Sequence, residues 1–174
     1  TTKGYHPETE LYLLDIPNKE IRVGLYRCLL PYYIGMNTVK GTTTIAKMSA
    51  AIRHNDIDKA LEMLQTYLGT IPYCDNTDYE GHYQQMMYVI FSILDNYVDV
   101  EVRTLKGRVD MVLRTATHLY LFELKLNQSS DVAMRQIDLK EYPKRFALCG
   151  LPIVKIGINF DVATHNITDW KIEE

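Results

Sequence analysis

Gly107-Arg108-Val109-Asp110-Met111-Val112-Leu113-Arg114, then Thr115-Ala116-Thr117-His118, then Leu119-Tyr120-Leu121-Phe122-Glu123-Leu124-Lys125-Leu126 is the stretch on which the reading of this chain turns. Both flanks are rich in β-branched, aromatic and leucine residues and a polar break parts them, which predicts a hairpin. If residues 115–118 form a four-residue loop, Arg114 faces Leu119, Val112 faces Leu121 and Asp110 faces Glu123. Opposed residues have Cβ atoms about 4.5–5.5 Å apart. Lys125 then lies on the same face as Glu123, roughly 6.8 Å along the strand. Carboxylates that close repel each other unless a cation or proton sits between them. The pattern therefore suits a divalent metal. A one-residue slip would send Asp110 to the opposite face.

Glu-x-Lys by itself is common on amphipathic strands, where it is a solvated face with a weak ion pair. The neighbours of Glu123 argue otherwise. Leu119 and Leu121 precede it on its own face, while Tyr120, Phe122, Leu124 and Leu126 line the other. A run apolar on both faces predicts a central strand covered on both sides. Charges there are costly unless paired or bound to metal.

A chain of 174 residues can bury one real core, with room for a small appendage. No apolar run reaches the ~18 residues that a membrane helix needs, so no membrane role is expected. The chain opens on Thr1-Thr2-Lys3-Gly4 without Met or signal peptide and reads as a piece of a longer protein. Cys28, Cys74 and Cys149 are scattered and odd in number, as expected of reduced, buried thiols in a cytoplasmic protein. The five histidines show no zinc spacing, and His118 reads as a turn residue. Net charge is −3, yet residues 101–155 carry ten Lys/Arg against six Asp/Glu, a local +4. A basic segment around an acidic pocket suits a phosphodiester substrate; ordinary solvated side chains would give the same count.

Along the chain, Leu11 to Ile16 predicts a strand ended by Pro17-Asn18. A helix follows from about Lys19, with Ile21, Leu25, Cys28, Leu29 and Tyr32 as its apolar stripe and Pro31 bending or ending it. Two short helices come next, Thr43 to His54 and a second carrying Ile57, Ala60, Leu61, Leu64 and Leu68, with Asn55-Asp56 as stop and new N-cap. A longer helix runs from near Asp78 to about Asn96 on a Tyr83, Met86, Met87, Ile90, Phe91, Leu94 and Tyr97 stripe. Glu80 lies in its first turn. It completes a capping box with Thr77 or serves an active site, and the sequence leaves both open. Three strands follow, 97–104, 108–114 and 119–126. Ser129 caps a helix running to about Phe146, and Ile153 to Phe160 is a buried strand. Gln136 and Lys140 sit within the otherwise apolar stripe of that helix. The expected class is α/β with a mixed sheet, an αβββαβ core with helices on both faces. It divides into residues 1–75, an N-terminal strand and helical extension, and residues 76–174, the core.

That element order, together with Asp110 and Glu123-Leu124-Lys125, resembles the PD-(D/E)xK nuclease superfamily and its restriction-endonuclease-like fold. The closer resemblance is to the C-terminal nuclease-like region of bacterial AAA-ATPase-like proteins. It is carried by Gly107-Arg108-Val109-Asp110, Phe122-Glu123-Leu124-Lys125, Ala133-Met134-Arg135-Gln136-Ile137 and Lys140-Glu141-Tyr142. Leu14-Asp15-Ile16-Pro17-Asn18-Lys19-Glu20 resembles the Pro-Asn-x-Glu segment that precedes that region. Val109 stands where the superfamily name has Pro, a position without chemistry. The resemblance implies Mg²⁺ (or Mn²⁺) held by Asp110, Glu123 and the Leu124 carbonyl, with Lys125 acting on the attacking water. It also implies supporting roles for Gln136 and Glu80, and phosphate-backbone contacts for Arg135 and Lys140. The implied partners are nucleic acid, with DNA foremost, and an N-terminal ATPase domain of the same protein. No GxxxxGK[ST] occurs here, so this stretch is not expected to hydrolyse ATP.

Two other classes fit the residues. One is a degenerate nuclease fold that binds nucleic acid or a partner without cutting. The other is a module that docks on its own ATPase domain. Divalent-metal binding separates the active reading from both, and salt-sensitive nucleic-acid binding separates the two nuclease-like readings from the docking module.

Overall fold

The computed structural model describes residues 2–6, 11–14, 18, 20–21, 24–25, 28, 38–70, 80–93 and 97–174. Its centre is a five-stranded sheet in the order β3-β4-β5-β6-β7, formed by Tyr97–Arg103, Arg108–Arg114, Leu119–Leu126, Ile153–Asp161 and Asn166–Glu173. Neighbouring strands are antiparallel except β5 and β6, which run parallel and are joined through a helix. A parallel pair needs such a crossover, since a tight turn can only reverse the chain. β5 is the central strand, and seven of its eight residues are buried.

Helices cover both faces. On one side lie α1 (Thr38–Arg53), α2 (Ile57–Leu68) and α3 (Glu80–Ile93). Asn55 adopts a left-handed backbone (φ 60°) that stops α1, and the Asp56 carboxylate caps α2 by accepting the Lys59 N–H at 3.1 Å. The expected stripe Ile57, Ala60, Leu61, Leu64 and Leu68 is buried. It shares one core with Tyr83, Met87, Ile90 and Phe91 of α3 and with Tyr120, Phe122 and Leu124 of β5. α2 also holds the edge strand β7 through Gln65 Nε2 to the Ile167 carbonyl (2.7 Å) and Trp170 Nε1 to Asp58 Oδ1 (2.7 Å).

On the other side lies α4 (Ser130–Leu139). Ser129 caps it as expected, its hydroxyl accepting the Val132 N–H at 3.3 Å. The helix does not run on to Phe146. It stops at Leu139, Glu141 turns left-handed (φ 52°, ψ 39°), and Tyr142–Phe146 forms a separate 3-10 turn. Pro143 is the reason. A continuing helix would set its ring against the Leu139 carbonyl and remove one backbone donor.

Two strands escape the sequence reading. β7 is one, an edge strand of mixed polar and apolar residues. The other is β1 (Thr2–His6), which pairs antiparallel with β2 (Leu11–Leu14) in a small separate sheet. Of the stripe expected after Lys19, Ile21, Leu25 and Cys28 are exposed, and Leu29 and Tyr32 lie outside the described residues. The cysteine expectation is corrected with it: Cys28 is exposed, Cys149 only half-buried, and Cys74 lies outside the described residues, as does Thr77.

Candidate active site

The hairpin has the register expected from its loop. Arg114 pairs with Leu119, Val112 with Leu121 and Met111 with Phe122. The Thr115 amide closes it on the His118 carbonyl (3.0 Å), so His118 is a turn residue. Past Met111 the ladder ends, and Asp110 and Glu123 form no ladder pair. Instead the Leu124 amide donates to Asp110 Oδ2 at 2.8 Å, so a carboxylate replaces the carbonyl that a continued ladder would supply. The outer neighbour is irregular at the same level. Glu101 of β3, opposite Asp110 in register, has φ 54°, costly for a residue other than glycine. Gln84 of α3 bridges this break, donating to the Asp110 carbonyl (2.7 Å) and to Glu101 Oε1 (3.0 Å). The strands part where the acidic residues stand.

Glu123 is fully buried and Lys125 nearly so. The Lys125 ammonium donates to Glu123 Oε1 at 2.7 Å and to the Leu124 carbonyl at 2.9 Å. A carboxylate taken out of water needs a cation beside it. Here the ammonium occupies two oxygens, one on Glu123 and one on the Leu124 carbonyl, that the sequence reading assigns to a metal. Those oxygens and the Asp110 carboxylate form an oxygen-only donor set. Such a set fits a hard ion that retains several waters and takes few protein ligands. Among the described residues no cluster of three His, Cys, Asp or Glu side chains is placed to hold an ion. Glu80 begins α3, and its side chain lies outside the described set.

α4 closes this face because Gly157 permits it. Gly157 is the β6 partner of Glu123. A Cβ there would meet the Ser130 carbonyl at 2.6 Å and the Ala133 Cβ at 2.9 Å. The lack of a side chain lets the helix lie directly on β6, beside Glu123 of β5. Gln136 Nε2 then donates to the Tyr142 hydroxyl at 3.4 Å, at the outer limit of a hydrogen bond. Tyr142 is 1% exposed. Burial raises its pKa and the Gln136 bond lowers it, while the charges of Glu123 and Asp110 raise it further and Lys125 acts the other way. The phenol therefore stays neutral and lies within the field of all three charged residues. Arg135 and Lys140 are exposed and make no ion pair among the described residues.

The structure thus brings together Asp110, Glu123, Leu124, Lys125 and, through Tyr142, Gln136. It leaves Arg135 and Lys140 at the surface. Sequence reasoning missed Gln84, Glu101, Gly157 and the place of Tyr142. In an unbroken helix Gln136 and Tyr142 would point about 120° apart; the left-handed Glu141 brings them together.

Two comparisons bear on this arrangement. A curated relative, described as an uncharacterized protein in the vnfD 5' region of Azotobacter chroococcum mcd 1, is 28% identical over 171 residues. The alignment covers 93% of this chain but 33% of that protein, so the chain spans about a third of the relative's length. A family sequence profile described as PD-(D/E)XK nuclease superfamily matches residues 78–170, from α3 into β7. The match spans more than half of the chain and takes in β3 to β6 and the first part of β7, and on it the chain belongs to the PD-(D/E)XK nuclease superfamily.

Proposed function

We propose that residues 76–174 act as a metal-dependent phosphodiesterase that hydrolyses nucleic acid, with DNA the first substrate to try. Residues 1–75 would be an extension within a longer protein that also carries an ATPase domain. The observation that carries this reading is the buried Glu123–Lys125 pair beside Asp110, at the point where β4 and β5 part. In support of a longer protein, the curated relative extends well beyond the matched third.

In this reading Asp110, Glu123 and the Leu124 carbonyl hold Mg²⁺ or Mn²⁺. When bound, the ion polarises the scissile phosphate and lowers the pKa of a coordinated water. Lys125 orients the attacking water or accepts its proton, and offsets charge developing on the phosphate. Gln136 and Tyr142 hold this wall of the pocket in place. Glu80 adds a contact to the ion or to its waters. Arg135 and Lys140 meet the phosphate backbone. Working within the cytoplasm is part of the same proposal.

Calorimetric titration with Mg²⁺ and Mn²⁺, paired with a DNA-cleavage assay, tests it. Asp110→Asn and Glu123→Gln keep the shape of each carboxylate while removing its charge. Metal binding and cleavage in the wild type, lost in both variants, would establish the site. No metal binding by the wild type would sink the proposal and leave a binding or docking module.

A further inference from the structure

The turn joining β3 to β4 is Thr104-Leu105-Lys106-Gly107, and it is tightly closed. The Thr104 amide and hydroxyl both donate to the Gly107 carbonyl, at 2.8 and 3.1 Å. Leu105 stands on this turn 98% exposed. Turn positions favour Gly, Asn, Asp, Ser and Pro, each for a backbone reason that leucine lacks. A solitary exposed leucine needs no explanation; this one stands in a built setting.

The Lys106 ammonium pairs with Glu141 Oε2 at 2.7 Å, clasping the hairpin to the elbow between α4 and the 3-10 turn. Lys144 pairs with the other Glu141 oxygen, also at 2.7 Å. A second exposed leucine, Leu139 (75% exposed), lies on the elbow two residues before Glu141. Gly107, at the inner end of the turn, lies against Lys140 and Tyr142: a Cβ on it would meet the Tyr142 hydroxyl at 3.4 Å and Lys140 Cδ at 3.5 Å. Tyr142 in turn feels the charges of Asp110, Glu123 and Lys125. Two exposed leucines thus stand among the basic side chains of Lys106, Lys140 and Lys144. Lys140, and Arg103 just before the turn, make no ion pair among the described residues.

We infer that the Thr104–Gly107 turn is a nucleic-acid contact in which Leu105 wedges against the bases while Arg103 and Lys140 hold backbone phosphates. Apolar wedges flanked by cations unstack base steps in this way, and the cations supply the affinity. Leu105 stands five residues before Asp110 in sequence. Even fully extended, five residues span at most about 16 Å, under about five nucleotide steps of ~3.4 Å, and the closed turn shortens this. The wedge would therefore act away from the scissile phosphate and set where the strand is held. This inference rests on the nuclease reading of the same site.

The test uses the full-length protein and a DNA duplex carrying 2-aminopurine, with EDTA present so that nothing is cut. Binding is followed by anisotropy and unstacking by 2-aminopurine fluorescence. The wild type should raise that fluorescence. Leu105→Ala should abolish the rise and weaken binding about tenfold, the loss of one good interface anchor, with the salt dependence unchanged. Leu105→Phe should restore both. Arg103→Ala should instead lower the salt slope by about one. Unchanged fluorescence and affinity in Leu105→Ala would overturn the wedge while leaving the metal site standing. So would a lowered melting temperature in Leu105→Ala with DNA binding intact, because the leucine would then be packed against another part of the same protein. Absence of Mg²⁺ or Mn²⁺ binding by the wild type in EDTA-free calorimetry, with DNA binding preserved, would strike the nuclease reading instead.

Discussion

The two faces of β5 are built on opposite terms. Tyr120, Phe122 and Leu124 point into a core shared with α1, α2 and α3, where Phe122 packs on Phe91 with ring centroids 5.6 Å apart. Leu119 and Leu121 begin the other face in the same manner, but Glu123 and Lys125 complete it, and the strand beneath α4 offers Gly157 and Asn159 as their neighbours. One face is held mainly by apolar area, with the Tyr120 hydroxyl donating to Asn55 Oδ1 at 3.3 Å. The other gives up part of that area for two buried charges, a glycine and a buried phenol. The apolar side keeps the strand fixed, so that the charged side need not hold the fold together.

Substitutions can break this contrast, and the largest expected effects fall on the strand itself. Phe122→Ala should cost about 3–5 kcal/mol in urea unfolding and leave metal binding to the surviving folded protein intact. Glu123→Leu should cost a similar amount, about 3–5 kcal/mol, because it strands the Lys125 ammonium. Adding Lys125→Met should recover most of that loss while metal binding stays absent. If single and double variants prove equally unstable, the buried charge is not the cause. A smaller effect is expected at Gly157→Ala, about 1–3 kcal/mol by overpacking against the Ser130 carbonyl. It should reduce cleavage beyond what the fraction unfolded explains, since α4 must lift.

The smallest effect separates the faces by pH. Hydrogen bonds from Lys106 and Lys144 lower the Glu141 pKa from 4.5 to about 2. A carboxylate lowered in the folded state adds stability above its ordinary value and loses it as pH falls toward the folded value. The clasp should therefore weaken between about pH 4.5 and about pH 2. Glu141→Gln should narrow the fall in urea midpoint between about pH 6 and about pH 3. An unchanged fall would show that the clasp does not hold the elbow.

Much of this was legible in the sequence, for identifiable reasons. Arg114–Leu119 and Val112–Leu121 follow from a four-residue loop, and a strand apolar on both sides announces its central place. The Asp56 and Ser129 caps were legible because the capping chemistry is local. What stayed hidden depends on backbone breaks or on neighbours distant in sequence. Asp110 was expected opposite Glu123, yet the ladder stops one pair short and its carboxylate takes the Leu124 amide. Tyr142 reaches the site only because Glu141 turns left-handed. Gly157 reads as a weak spot in a strand until the helix lying on it is known. The stripe at Ile21, Leu25 and Cys28 has the right period, but periodicity cannot say whether anything faces it.

The indole of Trp170 has a consequence for how this molecule can be watched. It is the only tryptophan in the chain, and its ring nitrogen bonds Asp58 of α2. Emission from the tryptophan therefore reports on one seam, where the helical pair meets the last strand, eleven residues beyond Asn159, the β6 partner of the candidate lysine, and outside the charged face. A spectral shift on heating that precedes the loss of far-ultraviolet ellipticity would mean that the seam opens while the sheet still stands.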